Sequence, residues 1–273
     1  MRNPQILAAA AGVALLTLGP VVASATAPLF PRPLHIVRRI EDPLAKQAAV
    51  VDEYCAGNRI VSIRGAKVVI TDYDAQQVTE LDHAAATYSI TRFDEIANAR
   101  PKHAASQAHA QSTTPAATWK SATAESKRSA AGKPLESYAM TRSGEKLEIG
   151  IDRDVRLSRD AVEALIGASY PNARSHEHEA LLQAAASREA KMATNAAGAT
   201  SEAIFGLPAE QVLTIDAVGS QLVVRNTIVR IGDETVPAAA LELDPGAKRV
   251  ESRLTRLQRE LDQLDRLPSQ SRP

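Results

Sequence analysis

The chain has 273 residues, with 32 basic and 32 acidic side chains and a formal net charge of zero. No clustered basic stripe breaks that balance, which excludes the electrostatic footprint of a nucleic-acid binder. Aromatic residues make up 3% of the sequence and much of its 44% apolar content is alanine, so part of the chain falls outside any core.

Residues 1–25 have the three parts of a secretory signal. Arg2 supplies a positive charge, residues 6–18 form an apolar run ended by Gly19-Pro20, and Ala23-Ser24-Ala25 is a small-x-small cleavage pattern that leaves Thr26 first. The overlapping Ala25-Thr26-Ala27 pattern is weaker because Pro28 would follow the cut. An uncleaved membrane anchor is the competing reading, but it needs roughly 20 apolar residues. The expectation is a periplasmic or secreted protein that is not an integral membrane protein after cleavage. What remains is long enough for one large domain or two small ones.

Residues 26–98 read as the N-terminal half of a β-rich domain. Residues 50–56 lead into Gly57-Asn58, a pair suited to a tight hairpin turn. Residues 59–64 follow, with Val61 and Ile63 on one face and Ile60 on the other. Gly65 turns the chain into 67–73, Asp74-Ala75 into 76–81, and Asp82-His83-Ala84 into 87–91. Short β-branched runs separated by Gly or Asp predict an antiparallel meander. A helix over 44–56, started by Asp42-Pro43, competes with the first strand. Cys55 is the only cysteine, which rules out a disulfide within the chain. It reads as a small buried residue beside Val51, with pairing between chains or a free thiol as the alternatives.

Residues 93–97 read as a short helix. Residues 99–132 then form a low-complexity segment of Ala, Ser, Thr, Gln, His and Lys, too poor in branched aliphatics to offset chain entropy, and are expected to be a disordered insertion. Trp119 within it fits a strand beginning near Thr118.

Residues 133–247 read as the C-terminal half of the same domain. A hairpin of 135–142 and 145–152 turns at Ser143-Gly144. Ser158 can cap a helix over 159–166 ended by Gly167, and Asn172 one over 173–193 ended near Asn195 and Gly198. Residues 211–218 and 221–231 form a second hairpin through Gly219-Ser220. Residues 248–267 read as an amphipathic helix. Val250, Leu254, Leu257, Leu261 and Leu264 alternate steps of four and three, Asp262 and Arg266 make a surface pair, and Pro268 ends it. Such a helix either docks on the parent sheet or pairs with a second copy as a short coiled coil in a homodimer.

Several stretches, read in order, resemble an uncharacterised family of exported bacterial proteins related in fold to the periplasmic lipoprotein carriers. They are Gly65-Ala66-Lys67-Val68-Val69-Ile70 with Leu81-Asp82 and Thr87-Tyr88-Ser89; Ala131-Gly132-Lys133-Pro134 with Glu136-Ser137-Tyr138 and Leu147-Glu148-Ile149; and Gly206-Leu207-Pro208, Gly219, Val236-Pro237 and Leu243-Asp244-Pro245-Gly246. The resemblance implies an α+β fold in which a curled antiparallel sheet, an incomplete barrel, carries helices on one face. The family often has tryptophan where Gly150 stands, and the 99–132 insertion and heptad tail are additions to its pattern. The likeness lies in scaffold positions, so it implies no ligand residues, and fold likeness alone licenses no activity.

No catalytic or metal constellation emerges, and the reading is of a non-enzymatic protein without a cofactor. Ser143-Gly144-Glu145-Lys146 matches S-x-x-K, but that chemistry needs a helix and S-D-N and K-T-G partners, which are absent. His176-Glu177-His178 lacks the H-E-x-x-H spacing that puts two imidazoles on one helix face. His103 and His109 are scattered through the insertion. Asp72, Asp74, Asp82 and Asp94 fall at turns, where Asp bonds local backbone. The expectation is an exported carrier or binding protein for an apolar or amphipathic envelope component such as a lipid or lipopeptide. Tyr73, Tyr88 and Tyr138 are the candidate lining of its pocket. The alternative is a structural or protein-interaction factor of the envelope, bound to another envelope protein and holding no small ligand.

Overall fold

The computed structural model describes residues 27–43, 45, 47–98, 120–121, 125–128, 132–142, 144–169, 175–186, 204–217 and 220–265. They form an α+β protein built on one large, open, mostly antiparallel sheet with few helices.

The N-terminal strands are β1 (Phe30–Glu41), β2 (Ala49–Gly57), β3 (Arg59–Arg64), β4 (Lys67–Asp72), β5 (Gln77–Asp82) and β6 (Thr87–Arg92), followed by α1 (Phe93–Asn98). The expected meander is present, and 49–57 is strand rather than helix. Ala56 pairs with Arg59 across Gly57-Asn58, and Gly57 takes φ 59°, a conformation glycine adopts without strain. Asp72 pairs with Gln77 and Asp82 with Thr87, which leaves four-residue loops, the first of them longer than expected. Their last residues, Gln76 and Ala86, carry the positive φ.

The C-terminal part comprises β7 (Lys120–Ser121), β8 (Glu125–Arg128), β9 (Pro134–Arg142), β10 (Glu145–Leu157), α2 (Arg159–Ser169), α3 (Ser175–Ala185), β11 (Phe205–Ala217), β12 (Ser220–Gly232), α4 (Ala238–Leu241), β13 (Lys248–Arg249) and α5 (Arg253–Asp265). The strand order is β13-β6-β5-β4-β3-β2-β1-β12-β11-β10-β9-β7, with β8 also on β9. β13 pairs with β6 in parallel, and the other named pairs are antiparallel.

The strand that joins the two halves, β1, is not announced by the sequence pattern. Pro31 and Pro33 interrupt it where its register on β2 shifts, between Phe30 and Leu34. Its centre carries Arg38, almost wholly buried and held 2.6 Å from the equally buried Glu53. Polar residues here mask a central strand.

The expected insertion of 99–132 is narrower than drawn, because Lys120–Ser121 and Glu125–Arg128 pair with β9. Trp119 and residues 99–119 lie outside the described residues. β10 and β11 extend beyond their expected bounds, through shifts in register at Gly150/Ile151 and Asp152/Arg156. A Cβ on Gly150 would come 2.8 Å from Leu135 Cδ1, so the tryptophan of the resembling family does not fit here. Ser158 caps α2 through its Oγ, 3.2 Å from the Ala161 N–H. The helix then continues across Gly167 to Ser169 rather than stopping there. The described part of the second helix is Ser175–Ala185, shorter than expected, and Ala186 bridges to Phe205. Asn172 and residues 187–203 fall outside the described set.

Alternation in β3 sends Ile60 and Val61 to opposite faces, as expected. Ile60 joins Phe30, Ile36, Cys55, Leu165, Leu207 and Ile228 in one core beneath α2. Val162 and Ile166, on another side of α2, join Leu147, Ile149, Ile151 and Leu181 of α3 in a second. Val61, Val68 and Leu81 form a third cluster on the opposite face of the sheet. Residues 248–249 belong to a strand, so the C-terminal helix starts at Arg253, later than expected.

Candidate functional site

Residues 233–247, here called the strap, follow β12 and return across the face that carries Val61, Val68 and Leu81. Val236, Ala240 and Leu241 pack against that cluster. The strap's backbone bonds, Ala240 N–H to Pro237 O (3.0 Å) and Ala247 N–H to Asp244 O (2.9 Å), are local turns. Side chains therefore make its attachment to the sheet. Beyond it, the Lys248 N–H donates to Ala86 O and the Val250 N–H to Tyr88 O, pinning the chain along β6.

At the near end stands His35, 1% exposed. Its Nδ1 is 3.0 Å from Glu234 Oε2 and its Nε2 is 3.0 Å from Asp52 Oδ1. Its ring stacks on Tyr54 at 4.1 Å, and Arg230 Nη2 lies 3.4 Å from Nδ1 while Nη1 reaches Glu234 Oε1 at 3.3 Å. Gly232 is the register partner of His35, and a Cβ there would fall inside the Glu234 carboxylate. A bare glycine thus lets the carboxylate fold back onto the imidazole. A hydrogen bond from Glu234's own backbone N–H, then His35, holds the Glu234 carboxyl below its ordinary range. Burial first, then Asp52, pushes the Tyr54 hydroxyl up.

Between the strap and the β2–β3–β4 hairpin ends lies a cleft of about 440 Å³. Tyr54, Val61, Val236 and Leu241 give it apolar walls, and Arg59, Asp72, Asp74 and Glu234 give it charged ones. Asp72 is ordered by hydrogen bonds from the Ala75 N–H (2.9 Å), the Asp74 N–H (3.1 Å) and Arg59 Nη2 (2.6 Å). The Ala75 bond first, with Arg59, holds its carboxyl below the ordinary carboxylate range. Asn58 Nδ2 donates to Asp74 at 2.7 Å.

The three tyrosines singled out from the sequence do not share a pocket. Tyr73 packs in the α2 core, its hydroxyl 3.4 Å from Ala164 O and pushed up to about 12 by burial. Tyr88 lies in the strap-side cluster, and Tyr138 in the α3 core, bonded to Glu136 at 2.7 Å. Sheet alternation and distance along the strand order separate them. Lys146 lies on a strand, 3.0 Å from Glu148, which places S-x-x-K at a hairpin rather than on a helix. Glu177 is buried on α3, and His103 and His109 are outside the described residues. Asp72 and Asp82 accept from local backbone N–H groups at turns, as expected, whereas Asp74 accepts from the Asn58 side chain and Asp94 lies in the first turn of α1. Cys55 is buried, and burial pushes its thiol up. Among the described residues no group of three or more His, Cys, Asp or Glu is placed to hold a metal, and no helix is long and apolar enough to cross a membrane.

His35, Asp52 and Glu234 were not legible as a set. They are up to 199 residues apart, and nothing in their local sequence marks them.

The fold and the site together define an α+β protein with an open sheet and a strapped cleft on the face away from α2 and α3. No protein-family model matches the chain, and no curated protein does. Two crystal structures of PNGF-II, in space groups C2 and P21, match 83% and 81% of this chain at 6% and 8% identity, with TM-scores of 0.37 and 0.36. The chain spans 32% of the length of each. Likeness at that level carries no argument about fold or function.

Proposed function

We propose that the protein is an exported, non-enzymatic binding protein for a small amphipathic envelope component, held in the cleft beneath the strap. The cleft carries this reading. Its volume of about 440 Å³ lies within the roughly 300–1,000 Å³ of small-molecule sites, and its apolar walls with a few fixed charges suit a ligand of mixed character. The leader-like residues 1–25 support export to the periplasm or beyond.

In this reading the sheet is a lipoprotein-carrier-like incomplete barrel. α2 touches both β3 and β11, which stand four places apart in the strand order. Contact with both strands supports a sheet that curls about α2. Among the described residues, a cavity of about 30 Å³ beside Leu135, Ala209 and Ile228 has room for about one water, whereas the cleft beneath the strap has room for a small amphiphile.

Native mass spectrometry of protein purified from its own periplasm should show a co-purifying amphiphile, and the purified protein should take up N-phenyl-1-naphthylamine. Leu241→Trp, which narrows the cleft, should weaken uptake at least tenfold while the unfolding midpoint holds. A clean apo mass with no uptake would end this reading.

A second reading is favoured by Leu257 of α5, which is 46% exposed on the heptad seam. There the C-terminal helix binds an envelope protein or a second copy, and the cleft is incidental. Deleting residues 251–273, which spares β13, separates the two. An interaction factor loses its partner or oligomeric state, and a cleft binder keeps probe uptake.

A further inference from the structure

The strap is fastened to the sheet at both ends by histidines that face only acceptors on it. At the near end, His35 meets Glu234 of the strap through Nδ1 and Asp52 of β2 through Nε2, both at 3.0 Å. At the far end, His83 in the β5–β6 loop meets Asp244 Oδ2 through Nδ1 and Ala240 O through Nε2, both at 3.3 Å. A neutral imidazole donates from one nitrogen and presents a lone pair at the other, whereas the imidazolium donates from both. Each of these histidines has an oxygen acceptor opposite both nitrogens, which the charged ring satisfies in full, although the Arg230 guanidinium also approaches Nδ1 of His35.

We propose that the strap is a pH-sensitive closure, in which protonation of His35 and His83 fastens residues 233–247 over the cleft and deprotonation releases them. Its role as a gate rests on the cleft reading above, while the movement itself does not.

The groups around each ring set the sign. His35 faces two carboxylates, Asp52 and Glu234, and one cation, Arg230, whose Nη2 lies 3.4 Å from Nδ1. The stacked Tyr54 is neutral across the working range, since its hydroxyl is pushed up. Arg230 opposes the charge on His35, but its Nη1 also steadies Glu234 at 3.3 Å, so the carboxylate stays in place when the ring charges. His83 faces Asp244 and a carbonyl, with Asp82 beside it in sequence and Lys67 of β4 turned to Asp82 at 3.8 Å. Carboxylates outnumber cations at both seats, so protonation strengthens the attachment. Histidine changes charge between about pH 5 and 8. The strap is therefore held more firmly where these rings are charged than where they are neutral. The strap lacks the ladder hydrogen bonds that would hold it irrespective of pH, as its own backbone bonds are local turns.

Hydrogen exchange of the full-length protein, corrected for the intrinsic pH dependence of exchange, reads the opening directly. Amides of residues 233–247 should lose about tenfold in protection between pH 5.5 and pH 8, while those of the β10–β11 pair stay level. Gly232→Ala displaces the Glu234 carboxylate without altering a titrating group, and His83→Gln removes the far seat on the surface. Each should lower strap protection at pH 5.5 and shrink the pH response, and together they should abolish it. Equal strap protection at both pH values, or a pH response that survives in the double variant, overturns the proposal. Uptake of N-phenyl-1-naphthylamine at the same two pH values is scored separately. A moving strap with no probe uptake upholds the closure and sinks the cleft reading, and uptake through a strap that never moves does the reverse.

Discussion

Replacing Arg38 with methionine should be among the costliest single changes in the molecule. Arg38 Nε donates to Glu53 Oε2 at 2.6 Å, and the two side chains are 1% and 2% exposed. Methionine keeps most of the side-chain volume but leaves the Glu53 carboxylate in the sheet without its guanidinium. Removing one member of a buried pair costs about 3–5 kcal/mol, because the remaining charge is uncompensated. For a domain of this size that corresponds to a fall of about 6–20 °C in Tm. Arg38→Met/Glu53→Leu removes both charges and should recover most of the loss, since buried pairs and well-packed apolar replacements often balance. Urea unfolding followed by circular dichroism for the two single variants and the double variant closes the cycle. A cost below about 1 kcal/mol for either single variant, the value of an exposed pair, would refute the assignment of this contact as a buried charge pair at the centre of the sheet.

Arg153 ties β10 to α3. Its Nε donates to Glu136 at 2.6 Å, and its Nη atoms reach Ala184 O, Ala185 O and the Tyr138 hydroxyl, so Arg153→Met should cost about 2–3 kcal/mol and free the end of α3, read as faster amide exchange in 180–186. Asp72 should contribute stability above the ordinary carboxylate value of about 3.9 and lose it as pH falls below, because its folded carboxyl is held low; Asp72→Asn should therefore flatten the fall in urea midpoint between pH 5 and pH 2.5. Cys55 should resist a thiol reagent such as dithionitrobenzoate at pH 8 in the native protein and react at once in urea, because burial both shields the thiol and pushes it up.

The local sequence carried the N-terminal meander, the Ser158 cap and the hairpin centred on Ser143-Gly144, because each depends on neighbours in the chain. β-branched alternation at Ile60 and Val61 sufficed to assign opposite faces, and the structure puts one under α2 and the other under the strap. Local rules failed at β1, where two prolines, Arg38 and Arg39 disguise the strand that joins the halves. Arg38 is tolerated there because Glu53, on the neighbouring strand, pairs with it. The lining proposed from Tyr73, Tyr88 and Tyr138 failed for a related reason. Residue type marked them as amphipathic, but strand order and sheet face send them to three different clusters. The strapped cleft was beyond local reading altogether. His35, Glu234 and Asp52 acquire their geometry only when β12 closes against β1 and the chain doubles back across the sheet. Periodicity and turn chemistry are written within a few residues, so the sequence by itself determined elements and faces. Charge pairing and concavity depend on which strands become neighbours, and only the tertiary structure decided that.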